Sequence, residues 1–250
     1  VFLFADDQRP DTIAAHGNPH IDTPNLDRLA GEGFSFHRNY CAGSFSGAVC
    51  VASRAMLMNG RHWMKIGSAK EGKKANPASD WNADEVLPGL LAREAGYDPF
   101  IIGKWHNGEQ YPFTPMGQGF DEAFGFNNGH WNNYFDPVLL RGAQPEQTKG
   151  YITDVLTDEA MKFITANQAK PFFCYLAYNA PHTPLQALKS DYDALPQIKD
   201  HTQRVYGAMM RQLDRRIGDV MQKLKDTGLD ENTLVIFTSD NGGAWYTGIK

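Results

Sequence analysis

Cysteine is scarce in this 250-residue chain: Cys41, Cys50 and Cys174 are the whole supply. Three are too few for a disulfide framework, and none shows the Cys-x-x-Cys spacing of a zinc site. Basic blocks are also missing, and the formal net charge is −5. That balance argues against nucleic acid or an anionic membrane surface as the partner, so any anion site must be locally cationic inside an acidic protein. No apolar stretch approaches the roughly 20 residues needed to cross a bilayer. No signal peptide is visible, and the chain opens without Met directly on the apolar run VFLFA, so its natural N-terminus is expected to lie upstream. The length allows one or two domains around a large core.

What is present is an alternation. Short apolar runs begin at Val1 (VFLFA), Phe100 (FII), Pro171 (PFFCYLA) and Thr233 (TLVIF). Their unbroken hydrophobicity predicts strands covered on both faces. Helical patterns separate them. Thr23 is placed to cap a helix with Pro24 at its first position and Gly31 or Gly33 past its end, and LLAREAGY stops at Gly96. Apolar residues recur at helical spacing over Tyr151 to Asn167 and from about His201 to Asp226. Strands alternating with helices predict an α/β fold: a mainly parallel central sheet with helices on both faces.

Each apolar run is followed at once by polar chemistry: Asp6 and Asp7, then Lys104 and His106, then His182, then Asp240 and Asn241. Taken singly, each has a plain structural explanation, since DNGG and Asp-Asp are turn signals and a lone His is more often structural. Taken together they predict one edge, because open α/β sheets bind ligands at the carboxyl ends of their strands. Cys50 adds to this edge. It stands at or just before the start of a helical stretch that ends at Gly60, with Arg54 four residues on and so on the same face. First-turn N–H groups beside Arg54 make an anion site next to a nucleophile. A Cys41–Cys50 disulfide is the plainer alternative for Cys50, and Cys174 reads as a buried small hydrophobe. Asp6, Asp7, Asp240 and Asn241 form an all-oxygen donor set that suits Ca²⁺, or Mg²⁺, rather than zinc. Without a cation their carboxylates would repel one another. Arg54, Lys104 and Lys250 leave the pocket net positive once a cation is counted.

FLFADDQRPDT, TPNLDRLAGEG, CVASRAMLMNGRH, GKWH, PFFCYLAYNAPHTP and TSDNGG occur in an order that resembles the N-terminal catalytic domain of a type I sulfatase, in the alkaline phosphatase superfamily. The Cys-x-Ala-Ser-Arg element carries most of the specificity. The resemblance implies that Cys50 is oxidised to formylglycine by a formylglycine-generating maturation enzyme. The hydrated aldehyde is then the nucleophile, and its second hydroxyl allows sulfate to be expelled by C–O cleavage, where a serine would be trapped as a stable ester. It also implies a metal held by Asp6, Asp7, Asp240, Asn241 and the modified Cys50, with Asp240 helping to deprotonate the attacking hydroxyl. Arg54 and Lys104 would neutralise the sulfuryl oxygens, His182 with Lys250 beside it would protonate the leaving alcohol, and His106 would be the base of the second step. The implied substrate is a small-molecule or oligosaccharide sulfate ester, and the implied compartment is the periplasm or the exterior. On the family pattern, residues 1–250 form the N-terminal catalytic part, with the rest of the sheet and a smaller C-terminal domain beyond it.

Ala52 stands where proline is commoner in the motif, Asn59 where threonine or serine is usual, and Asn107 where leucine is frequent. Two other readings stay open. One is a phosphodiesterase or phosphonate monoester hydrolase with the same nucleophile; the other is a non-catalytic anion-binding protein with Cys50 left unmodified. The stretch FGFNNGHWNNYFDP, Phe124 to Pro137, is too polar and glycine-marked for a core strand. It reads as a surface loop ordered by its own side chains, or as a carbohydrate-recognition loop in which asparagines such as Asn133 meet hydroxyls and Trp131 or Tyr134 stacks on a sugar face.

Overall fold

A computed structural model describes residues 1–44, 49–66, 81 and 85–247. Seven strands form one sheet: β1 (Phe2–Ala5), β2 (Asp98–Lys104), β3 (Glu122–Phe126), β4 (Val138–Arg141), β5 (Gln144–Gln147), β6 (Phe172–Ala177) and β7 (Ile236–Ser239). Their order is β5-β4-β3-β2-β6-β1-β7. β7, β1, β6, β2 and β3 run parallel, and β4 and β5 add an antiparallel hairpin at the β3 edge. The helices are α1 (Pro24–Glu32), α2 (Val49–Asn59), α3 (Leu87–Ala95), α4 (Ile152–Ala166), α5 (Lys189–Asp193) and α6 (His201–Asp226).

Strand alternation explains how both faces are covered. Leu3, Phe100, Ile102, Cys174 and Leu176 point to one core, with Leu156 and Ile164 of α4 and Leu213, Ile217 and Val220 of α6. Phe4, Ile101 and Tyr175 point the other way, to Ala55 and Met58 of α2, Val86, Trp105 and Phe120. Burying each large apolar side chain contributes roughly 1.5–3 kcal/mol, so the apolar stripes of α4 and α6 hold those helices to the sheet. The expected α/β fold, with its mainly parallel sheet and two covered faces, is the fold observed.

Several local expectations need correction. The run from Thr233 is not covered on both faces: the strand starts at Ile236, and Leu234 and Ile236 remain 75% and 40% exposed. Among the described residues β7 pairs only with β1, beginning at Phe2↔Ile236, so its other edge has no strand beside it. Phe124, Gly125 and Phe126 are not loop but the buried end of β3. They pair with Ile102, Gly103 and Lys104 of β2, which gives a strand to a stretch whose glycine argued against one. Thr23 precedes α1 without capping it; its Oγ1 accepts from the Ala14 amide and donates to Asp27. The open amides of Asn25 and Leu26 donate instead to Asp214 of α6, at 3.2 and 2.8 Å. Gly33, not Gly31, ends that helix.

Candidate active site

The four parallel strands β1, β2, β6 and β7 deliver their following residues to one edge. Asp6 leaves β1 fully buried, and Asp7 turns away in the left-handed region, φ 61°. Asp6 N–H donates to the Ala180 carbonyl after β6 at 3.0 Å, and Asp7 N–H donates to Asp240 Oδ1 after β7 at 3.1 Å. Lys104 is the last residue of β2. Gly103 before it has φ 110°, and a Cβ there would stand 1.9 Å from the Ala177 carbonyl oxygen, so only glycine lets β2 lie this close to β6. His106 follows with φ 58°, its amide donating to the Asn127 carbonyl at 3.1 Å.

Cys50 is the second residue of α2 and is buried with Arg54 one turn on. Its Sγ lies 3.4 Å from Asp6 Oδ1. Arg54 reaches Asp6 Oδ2 at 3.0 Å and Asp240 Oδ2 at 3.5 Å, and it also donates to the Lys104 carbonyl and the Tyr175 hydroxyl. Lys104 Nζ pairs with the same Asp6 oxygen. Cys50 and Cys41 are free thiols, the first buried and the second exposed, so the disulfide alternative falls: Sγ of Cys50 is directed at a carboxylate. Cys174 is fully buried, as its apolar run predicts.

His182 Nδ1 lies 2.6 Å from the Thr183 carbonyl. A carbonyl only accepts, so Nδ1 carries a proton and Nε2, 3.6 Å from Asp7 Oδ2, is the atom left to exchange one. Donor atoms of Asp6, Asp7, Cys50 and His182 all lie within 4.8 Å of one another. Asn241 Nδ2 donates to Asp7 Oδ1 at 2.6 Å, while its Oδ1 is buried without a hydrogen-bond partner among the described residues. Asp240 Oδ2 is likewise buried and accepts no hydrogen bond there. Of the oxygen set expected from sequence, Asp6 and Asp7 lie with Cys50 and His182 in the tight cluster, and Asp240 and Asn241 touch it through Asp7.

Charge is divided unevenly across this cluster. Burial raises the pKa of Asp6, but Lys104 and Arg54 outweigh it and hold that carboxyl well below the usual range. Burial and the neighbouring Asp6 push Asp240 up to about 7. The carboxylates thus do not all rise together: two buried cations settle on Asp6. Burial, Asp6 and Asp240 push the Cys50 thiol up, so it stays protonated. Burial first, then Lys104 and Arg54, pull His106 down to about 3, leaving a neutral imidazole. Its Nδ1 is buried without a hydrogen-bond partner among the described residues, and a Cβ on Gly129 would lie 2.5 Å from its Nε2.

The Asn127–Pro137 segment has divided roles. Tyr134 is core, not a stacking surface: it is fully buried and its hydroxyl reaches the Asn179 and His182 carbonyls at 3.0 and 2.6 Å. Trp131 is half-buried against Phe126, with ring centres 5.3 Å apart, and Asn133 is exposed. His130, which no motif marks, lies parallel to His182 at 6.1 Å between ring centres. Asn179, inside the PFFCYLAYNAPHTP stretch but given no role there, is buried with both side-chain polar atoms lacking hydrogen-bond partners among the described residues. Its place immediately before the APH triplet was the available signal. Lys250 lies outside the described residues.

A family model described as Sulfatase matches residues 1–249. The N-acetylgalactosamine-6-sulfatase of Canis lupus familiaris is 32% identical over 277 residues, covering 98% of this chain and 50% of that protein. Arylsulfatase J of Mus musculus is 30% identical over 258 residues, covering 97% of this chain and 42% of that protein. The crystal structure of Ps i-CgsB in complex with k-i-k-neocarrahexaose superposes with a TM-score of 0.87 at 35% identity, over 100% of this chain and 59% of that one. The chain spans about half the length of the curated relatives it matches.

Proposed function

Because the chain belongs to the sulfatase family, we propose that it is the catalytic part of an enzyme that hydrolyses a sulfate monoester of a carbohydrate. The observation that carries the reading is the convergence of Asp6, Asp7, Cys50 and His182 within 4.8 Å, backed by the buried cations Arg54 and Lys104. Such a pocket matches a tetrahedral anion on its cationic side and holds a proton donor on the other.

A divalent cation fits the residues present. Asp6 and Asp7 offer carboxylate oxygens, and Asp240 Oδ2 and Asn241 Oδ1 are buried acceptors with no hydrogen bond to satisfy them among the described residues. Hard oxygen donors favour Ca²⁺, with Mg²⁺ as the alternative. When bound, the ion supplies Lewis acidity at a sulfuryl oxygen and at the nucleophile. Formylglycine made from Cys50 by a maturation enzyme fits as well, since a thiol whose ionisation burial, Asp6 and Asp240 all oppose is a poor nucleophile by itself. Its hydrate would supply one hydroxyl to attack sulfur and displace the alcohol, and a second whose deprotonation would expel sulfate and restore the aldehyde.

The other residues then take roles that follow from their surroundings. Asp240 is the carboxylate assigned to take the proton of the attacking hydroxyl. Arg54 and Lys104 offset charge on the sulfuryl oxygens. His182 presents Nε2 to the leaving alcohol; His106 is assigned the base of the second step on the family motif, although burial, Lys104 and Arg54 oppose its protonation. Lys250 is assigned beside His182 on the family motif alone. Trp131 and Asn133 are the sugar contacts, supported by the fastening of their segment to the His182 loop through Tyr134 and through Gln186, which donates to the Asn132 carbonyl. The names of the relatives, an N-acetylgalactosamine-6-sulfatase and an enzyme complexed with a neocarrahexaose, support a carbohydrate. A polysaccharide is met outside the cytoplasm, so the reading carries export to the periplasm or exterior with it. Residues 1–250 are then the N-terminal catalytic part of a longer protein, as the double length of the relatives supports.

Two measurements on the full-length protein from its native source test this. The peptide spanning Cys50 is expected to carry the mass of formylglycine, and sulfated oligosaccharides are expected to be desulfated faster than phosphonate monoesters or phosphodiesters. An unmodified Cys50 in active protein, or a preference for the phosphorus esters, overturns the reading.

A further inference from the structure

The turn that carries Asp7 is under strain and tightly held. Asp7 is one of three non-glycine residues with positive φ among the described ones, beside His106 and Asp136. A left-handed aspartate persists only where surrounding contacts over-determine it. Three anchors come from the sheet edge: Ala180 holds the Asp6 amide at 3.0 Å, Asp240 the Asp7 amide at 3.1 Å and Ser239 Oγ the Gln8 amide at 3.1 Å. The fourth comes from a helix. Arg9 N–H donates to the Tyr206 hydroxyl oxygen at 3.0 Å, and that hydroxyl donates to the Asp7 carbonyl at 2.9 Å. One phenolic oxygen thus bridges the carbonyl of the left-handed residue and the amide two residues on, closing a ring across Gln8.

Tyr206 is suited to that task. It is fully buried in α6, so the core fixes its ring, and its hydroxyl uses its donor and an acceptor site on the same turn. Neither the alternation of apolar runs nor any motif marks it, since a tyrosine on the inner face of a long amphipathic helix reads as packing.

We propose that Tyr206 is a positioning residue for Asp7: by clamping the strained turn from α6, it sets the direction in which the Asp7 carboxylate enters the cluster with Asp6, Cys50 and His182. The role rests on the reading of that cluster as a divalent metal site. Residues that orient a ligand from behind commonly change metal affinity by about 10–100-fold when altered. Phenylalanine at 206 would keep the ring and its packing but release both ends of the clamp.

The test compares full-length wild type and Tyr206→Phe, stripped with chelator, by calorimetric titration with Ca²⁺ alone and by Tm with and without Ca²⁺. The Kd of the variant is expected to rise about tenfold or more, and its Ca²⁺-dependent gain in Tm to shrink. Arg9→Pro is the second arm. Residue 9 has φ −78°, which proline adopts, and the change removes the amide donor from the opposite side of the same clamp. It is expected to weaken Ca²⁺ binding in the same direction by a smaller factor. A Kd equal to wild type in both variants, with Tm lowered alike in Ca²⁺ and in chelator, overturns the role of Tyr206 and leaves the metal site standing. Wild type that binds neither Ca²⁺ nor, in a parallel titration, Mg²⁺ overturns both.

Discussion

Cys50 occupies a position hostile to a thiolate, with burial, Asp6 and Asp240 all opposing its ionisation. The same surroundings suit a neutral oxygen nucleophile that loses its proton only as it reacts, which is the chemistry proposed for the modified residue. Cys50→Ala is therefore expected to keep its fold, because the side chain removed is small, and to bind Ca²⁺ through the remaining oxygen donors, while turnover falls to background. Turnover measured after purification free of wild type checks this, and retained activity would sink the covalent mechanism. Trp131 lies further out, half-buried on Phe126. Trp131→Ala is expected to lower kcat/KM for a sulfated oligosaccharide about tenfold, roughly 1.4 kcal/mol, and to leave a small aryl sulfate nearly unchanged. Equal losses on both substrates would assign Trp131 to packing alone.

Among the elements, α1 shows how far a local signal can mislead. Thr23-Pro24 has the composition of a helix start, and α1 does start there, but the residue that satisfies its first amides is Asp214, from α6. That carboxylate also accepts from Asn25 Nδ2 at 3.0 Å, so it ties two helices by one charged cap. Asp214→Ala is expected to destabilise the protein by about 1–2 kcal/mol, since it removes a cap and leaves buried amides unpaired. Urea unfolding of the variant measures the loss. The activity per folded molecule should hold, because Asp214 faces α1 and not the sheet edge. β3 teaches the converse lesson. Gly125, φ 150°, looked like a break, yet a Cβ there would lie 2.1 Å from the Gly103 carbonyl oxygen. The glycine is what allows β3 to pair with β2 beside Lys104.

For the molecule as a whole, the site is a junction: Asp6 and Asp7 follow β1, His106 follows β2, His182 follows β6, Asp240 follows β7, and Cys50 starts α2. A cation bound there would join segments far apart in the chain and so stabilise the native state over the unfolded one by mass action. At a Ca²⁺ concentration a hundred times Kd that amounts to about 2.7 kcal/mol. Stripping the ion from the full-length protein is expected to lower Tm by roughly 5–10 °C, given about 2–4 °C per kcal/mol for a domain of this size. Scanning calorimetry in chelator, then in Ca²⁺ or Mg²⁺ at equal concentration, checks the loss and identifies the better ion by the larger recovery. An unchanged Tm in chelator counts against a resident cation.

Much of this edge is legible in the amino-acid order, because two of its causes are local. A continuous apolar run makes a strand, buried or, as in β7, partly exposed, and the polar residue that ends it stands at that strand's carboxyl end; hence Asp6, Asp7, Lys104, His106, His182, Asp240 and Asn241 could be named before any contact was known. Cys50 and Arg54 follow from helical spacing in the same way. What only the tertiary structure decided depends on groups remote in sequence. Lys104 and Arg54 settle on Asp6 and so separate its titration from that of Asp240. The phenol of Tyr206 clamps Asp7 from 199 residues away, and Asp214 caps α1 from 189 residues away. Hydrogen bonds and ion pairs act over a few ångströms of space and are indifferent to chain separation, so no spacing along the sequence encodes them.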